Sequence, residues 1–208
     1  GLSKNTTIQI LVVATDRDQA KLLRQELSHF IEKNLWFSQR VSNSTKSHIE
    51  FFTKADLDQR DTPRATIKVN FVSELAKGVR GSSNLLVIVD ESAHMRSAED
   101  VYLATEPSTR CFSPKNPENA REIIGPNEGK VVQISSPREG SWFNAMFELG
   151  LGPTNPMRAL SIQAPTWEVN PAVPASMFEE QEETSDCFYQ EFGAMGEQFY
   201  KTWRTLQT

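Results

Sequence analysis

Cysteine is scarce in this sequence: Cys111 and Cys187 are the only two in 208 residues. That excludes a disulfide framework and any four-cysteine zinc site. His29 and His48 have no metal-like spacing to either cysteine, so no zinc site is expected. Long apolar runs are missing too. The two longest, Ile8 to Ala14 and Leu85 to Val89, are far too short to cross a bilayer. No charged leader followed by an apolar stretch opens the chain, so the expectation is a cytoplasmic protein without a membrane. Gly1 before Leu2, with no Met, reads as a trimmed start. Internal repeats and low-complexity segments are absent as well.

The composition that remains is that of a soluble globular chain, with 38% hydrophobic and 24% charged residues. A chain of this length buries about 70% of the surface its unfolded form exposes, so it needs no covalent staples. The net charge is −5, unevenly spread. From Ala159 to Thr208 there are eight acids against Lys201 and Arg204, a local balance of −6, which leaves the first 158 residues at +1. Overall acidity therefore says little about partners, because one end produces it.

Hydrophobic patterning places the elements. Thr6–Ala14 is a β-branched, nearly continuous apolar run, the pattern of a strand buried on both faces. Asp16 is placed to cap a following helix whose apolar positions Ala20, Leu22, Leu23, Leu27, Phe30 and Ile31 recur at helical spacing. Ser47–Thr53 and Ala65–Ser73 are shorter strand candidates. After the turn-rich Gly78–Ser83 comes Asn84–Asp90, the most strand-like run in the chain. A helix is expected around Ala98–Thr105, then an irregular Pro-rich connection from Cys111 to Gly129 with one helical turn near Glu118–Ile123. Lys130–Ser135 reads as a buried strand, Trp142–Leu149 as a helix closed by Gly150 and Gly152, and Ala159–Ala164 as a last strand. Beyond Pro174 the pattern is helical and acidic. The four Trp residues are dispersed and read as core rather than as a base-stacking platform. Apolar strands alternating with helices predict an α/β fold, a mostly parallel sheet flanked by helices. In such sheets ligands bind at the carboxyl ends of the strands.

The residues just after each buried strand are therefore the candidate site. Asp90-Glu91 ends the run Leu85–Val89. An apolar strand followed by two acids is the Walker B pattern of nucleotide hydrolases: the aspartate holds Mg²⁺ and the glutamate polarises the attacking water. The same residues also fit a strand that ends in a solvated acidic turn. Ser135-Ser136-Pro137 follows the third buried strand, where small hydroxyls suit a phosphate sensor or simply a turn. Arg80, between Gly78 and Gly81, suits either a phosphate contact or a structural pin. His94 is placed near such a site or at the surface. A G-x-x-x-x-G-K-[ST] phosphate loop is lacking, because Lys77-Gly78 and Glu128-Gly129-Lys130 do not have its spacing. Without that lysine and amide cradle, these 208 residues alone are expected to hold ATP weakly or not at all.

Together these stretches resemble the ATPase domain of the large terminase subunit of tailed bacteriophages, the motor that packs DNA into the prohead. Four stretches carry the resemblance: Ile10–Ala20, Gly78–Glu91, Val131–Gly140 and Leu160–Ala194, in the family's order and spanning about nine-tenths of the chain. The resemblance implies a P-loop NTPase-like fold of the ASCE type, truncated at its amino end, with a small helical C-terminal segment. Residues 1–164 would form the partial ATPase core, and 165–208 a closing segment leading toward a nuclease. Asp90 would coordinate Mg²⁺, Glu91 would be the catalytic glutamate, and Ser135 and Ser136 would lie on the coupling motif; Arg80 is the further candidate for a cofactor contact. ATP and Mg²⁺ would serve the intact motor, with no cofactor firmly expected for these residues alone. Partners implied are double-stranded DNA, the portal protein, the small terminase subunit and further copies in a ring, in the cytoplasm of the infected host. The family's phosphate loop would lie upstream of Gly1 and its nuclease downstream of Thr208. The connection Cys111–Gly129 is longer and richer in proline than the family's, so Arg110, Lys115 and Arg121 align with no family residue, and no arginine finger is carried over. A helicase-like nucleic-acid ATPase and a non-enzymatic module with a degenerate NTPase fold are the two alternatives that the residues leave open.

Overall fold

The computed structural model describes residues 7–58, 63–75, 82–119, 121–155, 159–170, 172–178, 188 and 192–194. The chain divides into two compact units, Gly1–Ile134 and Ser135–Thr208.

The first unit is a six-stranded mixed sheet in the order β2-β3-β4-β1-β5-β6. Its strands are β1 (Ile8–Ala14), β2 (Val41–Ser44), β3 (His48–Phe51), β4 (Ile67–Ser73), β5 (Asn84–Asp90) and β6 (Lys130–Ile134). Four of them, β4-β1-β5-β6, run parallel, while β3 pairs antiparallel with both β2 and β4. The two central strands are the continuous apolar runs, and Leu11, Val13, Val87 and Val89 are fully buried.

Helix α1 (Arg17–Lys33) starts where Asp16 accepts the backbone N–H of Asp18 and Gln19, both at 2.8 Å. Its inner face packs Ile31, Leu23 and Leu27 with Val12, Val69 and Phe71 of the sheet and with Ile49 and Phe51 of β3. Short α2 (Leu35–Ser38) and α3 (Lys54–Leu57) flank the hairpin β2–β3. Helix α4 (Ala98–Thr109) runs on past the expected Thr105 and through Pro107, and Thr105 and Thr109 turn their hydroxyls back onto Val101 O and Glu106 O. The crossover β1–β4 runs one way along the sheet and β5–β6 runs the other. Right-handed connections therefore put α1 and α4 on opposite faces.

The connection 111–129 contains a Lys115–Ile123 bridge, not the helical turn expected near Glu118–Ile123. Asn116 and Asn119 side chains cap backbone N–H groups there, an alternative that competes with helix. Gly129 ends this connection against α4. A Cβ there would lie 2.5 Å from Thr109 O.

In the second unit, α5 (Trp142–Leu151) begins at Ser141, whose Oγ accepts Asn144 N–H at 3.2 Å, and ends at Gly152. The expected strand Ala159–Ala164 is not formed. Asn155 brackets Ala159, Ser161 donates to Phe147 O, and Leu160 and Ile162 are exposed. A β-prone run needs a ladder partner to become a strand, and none pairs with it among the described residues. Trp167 of α6 (Thr166–Val169) stacks on buried Phe188 with a centroid distance of 6.2 Å. A single 3₁₀ turn, Ala175–Phe178, follows Pro174. The acidic helix expected beyond it lies outside the described residues.

Candidate functional site

Parallel strands place their carboxyl ends along one edge. Here Ala14 of β1 stands opposite Ser73 of β4, Val13 opposite Val89 of β5, and Asp90 opposite Ile134 of β6. Within the first unit, the segments that follow β1, β4 and β5 therefore share that edge, and they hold Asp16, Asp90, Glu91 and His94.

Asp90 closes β5 and is half-buried. Its Oδ2 accepts the side-chain amide of Gln19 at 3.4 Å. Gln19 reaches it from the first turn of α1, where the Asp16 cap fixes its backbone. Among the described residues the carboxylate thus meets a neutral donor rather than a cation. Glu91 is next, with φ 52° and ψ 42°, one of two non-glycine residues with positive φ among the described residues. Its carboxylate stands 3.8 Å from His94 Nε2, both groups being partly exposed, and its carbonyl accepts His94 N–H at 2.9 Å. Ser92, 1% exposed, donates its hydroxyl to Gln133 Oε1 at 2.8 Å. The turn is thereby tied to β6, and Ala93 and Met95 pack inward.

Besides Gln19, two residues of this edge escaped the sequence reading. Glu74, just past β4, holds its backbone N–H on Ala14 O and accepts Arg96 N–H at 3.1 Å and Ser97 N–H at 3.4 Å. It serves as the acidic cap of α4, whose own N-cap Ser97 makes no capping bond. Gln133 is the other. Glu74 belongs to no sequence motif, Gln133 lies in the Val131–Gly140 stretch without a role assigned to it there, and the strand register brings both to the turn.

Ser135 and Ser136 follow β6 in the chain as the first residues of the second unit, and both are half-buried. Arg80 lies outside the described residues. His48 is not a metal ligand candidate: its ring contacts Thr45 Oγ1 at 3.0 Å and Glu50 at 3.5 Å. Trp36 corrects the expectation of a core residue, being 57% exposed with the Arg40 guanidinium 4.0 Å above its ring. No group of three or more His, Cys, Asp or Glu suited to a metal occurs among the described residues. A polar hollow of about 510 Å³ at the opposite, amino-terminal edge is lined by Gln9, Ser42, Arg64 and the paired Glu50 and Lys68, which stand 3.1 Å apart. Among the described residues no helix is long and apolar enough to cross a membrane.

The sheet with helices on both faces is an α/β fold, and an Asp-Glu pair stands at the carboxyl end of β5. Within that class, the chain has the fold of the ATPase domain of phage large terminases. It superposes on the Thermus phage P74-26 large terminase ATPase domain with a TM-score of 0.62 and 20% identity, covering 93% of this chain and 78% of that one. A point variant of that domain gives 0.63 and 18% over the same shares. The HK97 bacteriophage large terminase gives 0.58 and 13%, covering 91% of this chain and 40% of that one. No family model and no curated protein sequence matches the chain.

Proposed function

We propose that residues 1–164 are part of the ATP-hydrolysing core of a phage large terminase, the motor that drives double-stranded DNA into a prohead, and that 165–208 close that core toward a nuclease. The observation that carries this reading is the Asp90–Glu91 turn at the carboxyl edge, in a fold shared with terminase ATPase domains.

In this reading Asp90 would hold Mg²⁺. The donor set is compatible with that ion. Mg²⁺ is commonly bound by one or two carboxylates plus substrate phosphates rather than by an all-protein cage, and Asp90 is a half-exposed carboxylate whose protein partner is a neutral amide. Bound Mg²⁺·ATP supplies the phosphoryl group and offsets its charge. Glu91 orients the attacking water and takes its proton. Ser135 and Ser136 report the state of the γ-phosphate, and Arg80 contacts phosphate. The phosphate loop would come from sequence outside these 208 residues. Portal protein, small terminase subunit and further copies in a ring are the partners of the assembled motor, in the cytoplasm of the infected host.

The test is ATP hydrolysis by the chain extended with the parent gene's upstream sequence. Glu91→Gln should lower kcat by about 10²–10⁴-fold and leave ATP affinity unchanged. Turnover at the unsubstituted rate would remove Glu91 from the mechanism.

A further inference from the structure

We propose that Gln133 is a positioning residue for Glu91, acting through Ser92. The inference rests on the reading of Glu91 as the water-orienting group and names what holds it there.

Glu91 occupies the left-handed region, with φ 52° and ψ 42°. A side chain there crowds its own carbonyl, so a glutamate keeps this geometry only when its neighbours impose it. The preceding residue is imposed by the sheet, because Asp90 is laddered opposite Ile134. The following residue, Ser92, opens a 3₁₀ turn whose Met95 N–H bonds Ser92 O at 3.4 Å, and its side chain is anchored to the neighbouring strand. Ser92 Oγ donates to Gln133 Oε1 at 2.8 Å, across 41 positions of sequence. A serine hydroxyl ordinarily turns back onto nearby backbone; here it reaches a side chain on the neighbouring strand. Ser92 is 1% exposed, so no solvent oxygen replaces that acceptor cheaply. The His94 N–H on Glu91 O then closes the turn.

Gln133 is placed to transmit as well as to hold. It pairs with Val89 in the ladder and lies two residues before Ser135 in the chain. A shift of the end of β6 along β5 moves Oε1 relative to the Ser92 hydroxyl. The backbone at Glu91 must then rotate, or the bond must break. Rotation at Glu91 would displace its carboxylate, and loss of the bond would remove one restraint on it.

The test compares Ser92→Ala, Gln133→Leu and Gln133→Glu in the whole chain, with no nucleotide present. NMR couplings and carbon shifts read φ at Glu91, and hydrogen exchange reads the His94 amide. Ser92→Ala and Gln133→Leu should move Glu91 out of the left-handed region and speed His94 exchange at least tenfold. Gln133→Glu, which keeps an acceptor oxygen, should hold both within twofold. Positive φ retained at Glu91 in both disruptive variants overturns the proposal, whatever happens to the melting temperature. A Gln133→Glu variant that behaves like Gln133→Leu overturns it too. Should Ser92→Ala fail to fold, the half-buried Gln133 pair decides alone. Failure of the hydrolysis reading would leave these couplings unchanged, so the two failures are distinguishable.

Discussion

Gln19 and Asp90, 71 positions apart in sequence, meet at the carboxyl edge of the sheet, the amide of one donating to the carboxylate of the other at 3.4 Å. The bond is long and partly exposed, so its worth is at the lower end of side-chain hydrogen bonds, about 0.5 kcal/mol. Gln19→Leu should therefore lower the melting temperature by only about 1–2 °C. A double-mutant cycle with Asp90→Ala should return a coupling of about 0.5 kcal/mol. A cycle that closes at zero would mean that the two groups do not interact in solution.

Asp56 offers the clearest pH dependence. It is 2% exposed, and its Oδ2 accepts Thr53 N–H at 2.7 Å, Thr66 N–H at 3.2 Å and Thr66 Oγ1–H at 2.8 Å. Burial pushes its carboxyl up, but the hydrogen bonds from Thr53 and Thr66 together outweigh burial and hold it below its ordinary value of 3.8. A depressed folded-state pKa makes its contribution complete above the unfolded value, and that contribution is lost as pH falls through the folded one. Denaturant titrations from neutral pH into acid should show the unsubstituted protein losing more stability than Asp56→Asn. At neutral pH, Asp56→Ala should cost about 2–3 kcal/mol, because its donors are left without an acceptor.

Strand β6 bears an exposed apolar edge. Among the described residues it pairs only with β5, and Val132 and Ile134 are 41% and 53% exposed. Such an edge templates association with other chains. Val132→Lys should suppress concentration-dependent light scattering while shifting the melting temperature by less than about 2 °C. Scattering that persists unchanged would place the association elsewhere.

Much of this was legible from residues alone. The apolar runs of β1, β5 and β6 are strands, and Asp16 caps α1, because continuous β-branched runs and cap residues carry their structure locally. Strand β6, expected to be buried, instead lies at the sheet edge with no buried residue, because burial depends on neighbours that the run itself does not specify. Asp90 and Glu91 stand at the strand end expected of them. What failed to show depended on partners. Ala159–Ala164 has strand composition but no ladder among the described residues. The Thr53–Asp56 capping box of α3 is a pattern too short to mark a helix without Thr66 to complete it. Gln19, Glu74 and Gln133 are ordinary polar residues until register brings them to one edge. Neutral amides have no motif, and their role comes from the acid, hydroxyl or cap they reach.

The position of β1 has a consequence in time. Among the described strands it comes earliest in the chain, yet it lies inside the sheet with β4 and β5 as its neighbours. Its first partner residue, Ile67 opposite Ile8, is made about 60 residues later. At ordinary elongation rates β1 therefore waits roughly 3–12 s before β4 is there to pair with it. Until then the nascent chain exposes it, and a ribosome-bound chaperone has that interval in which to cover it.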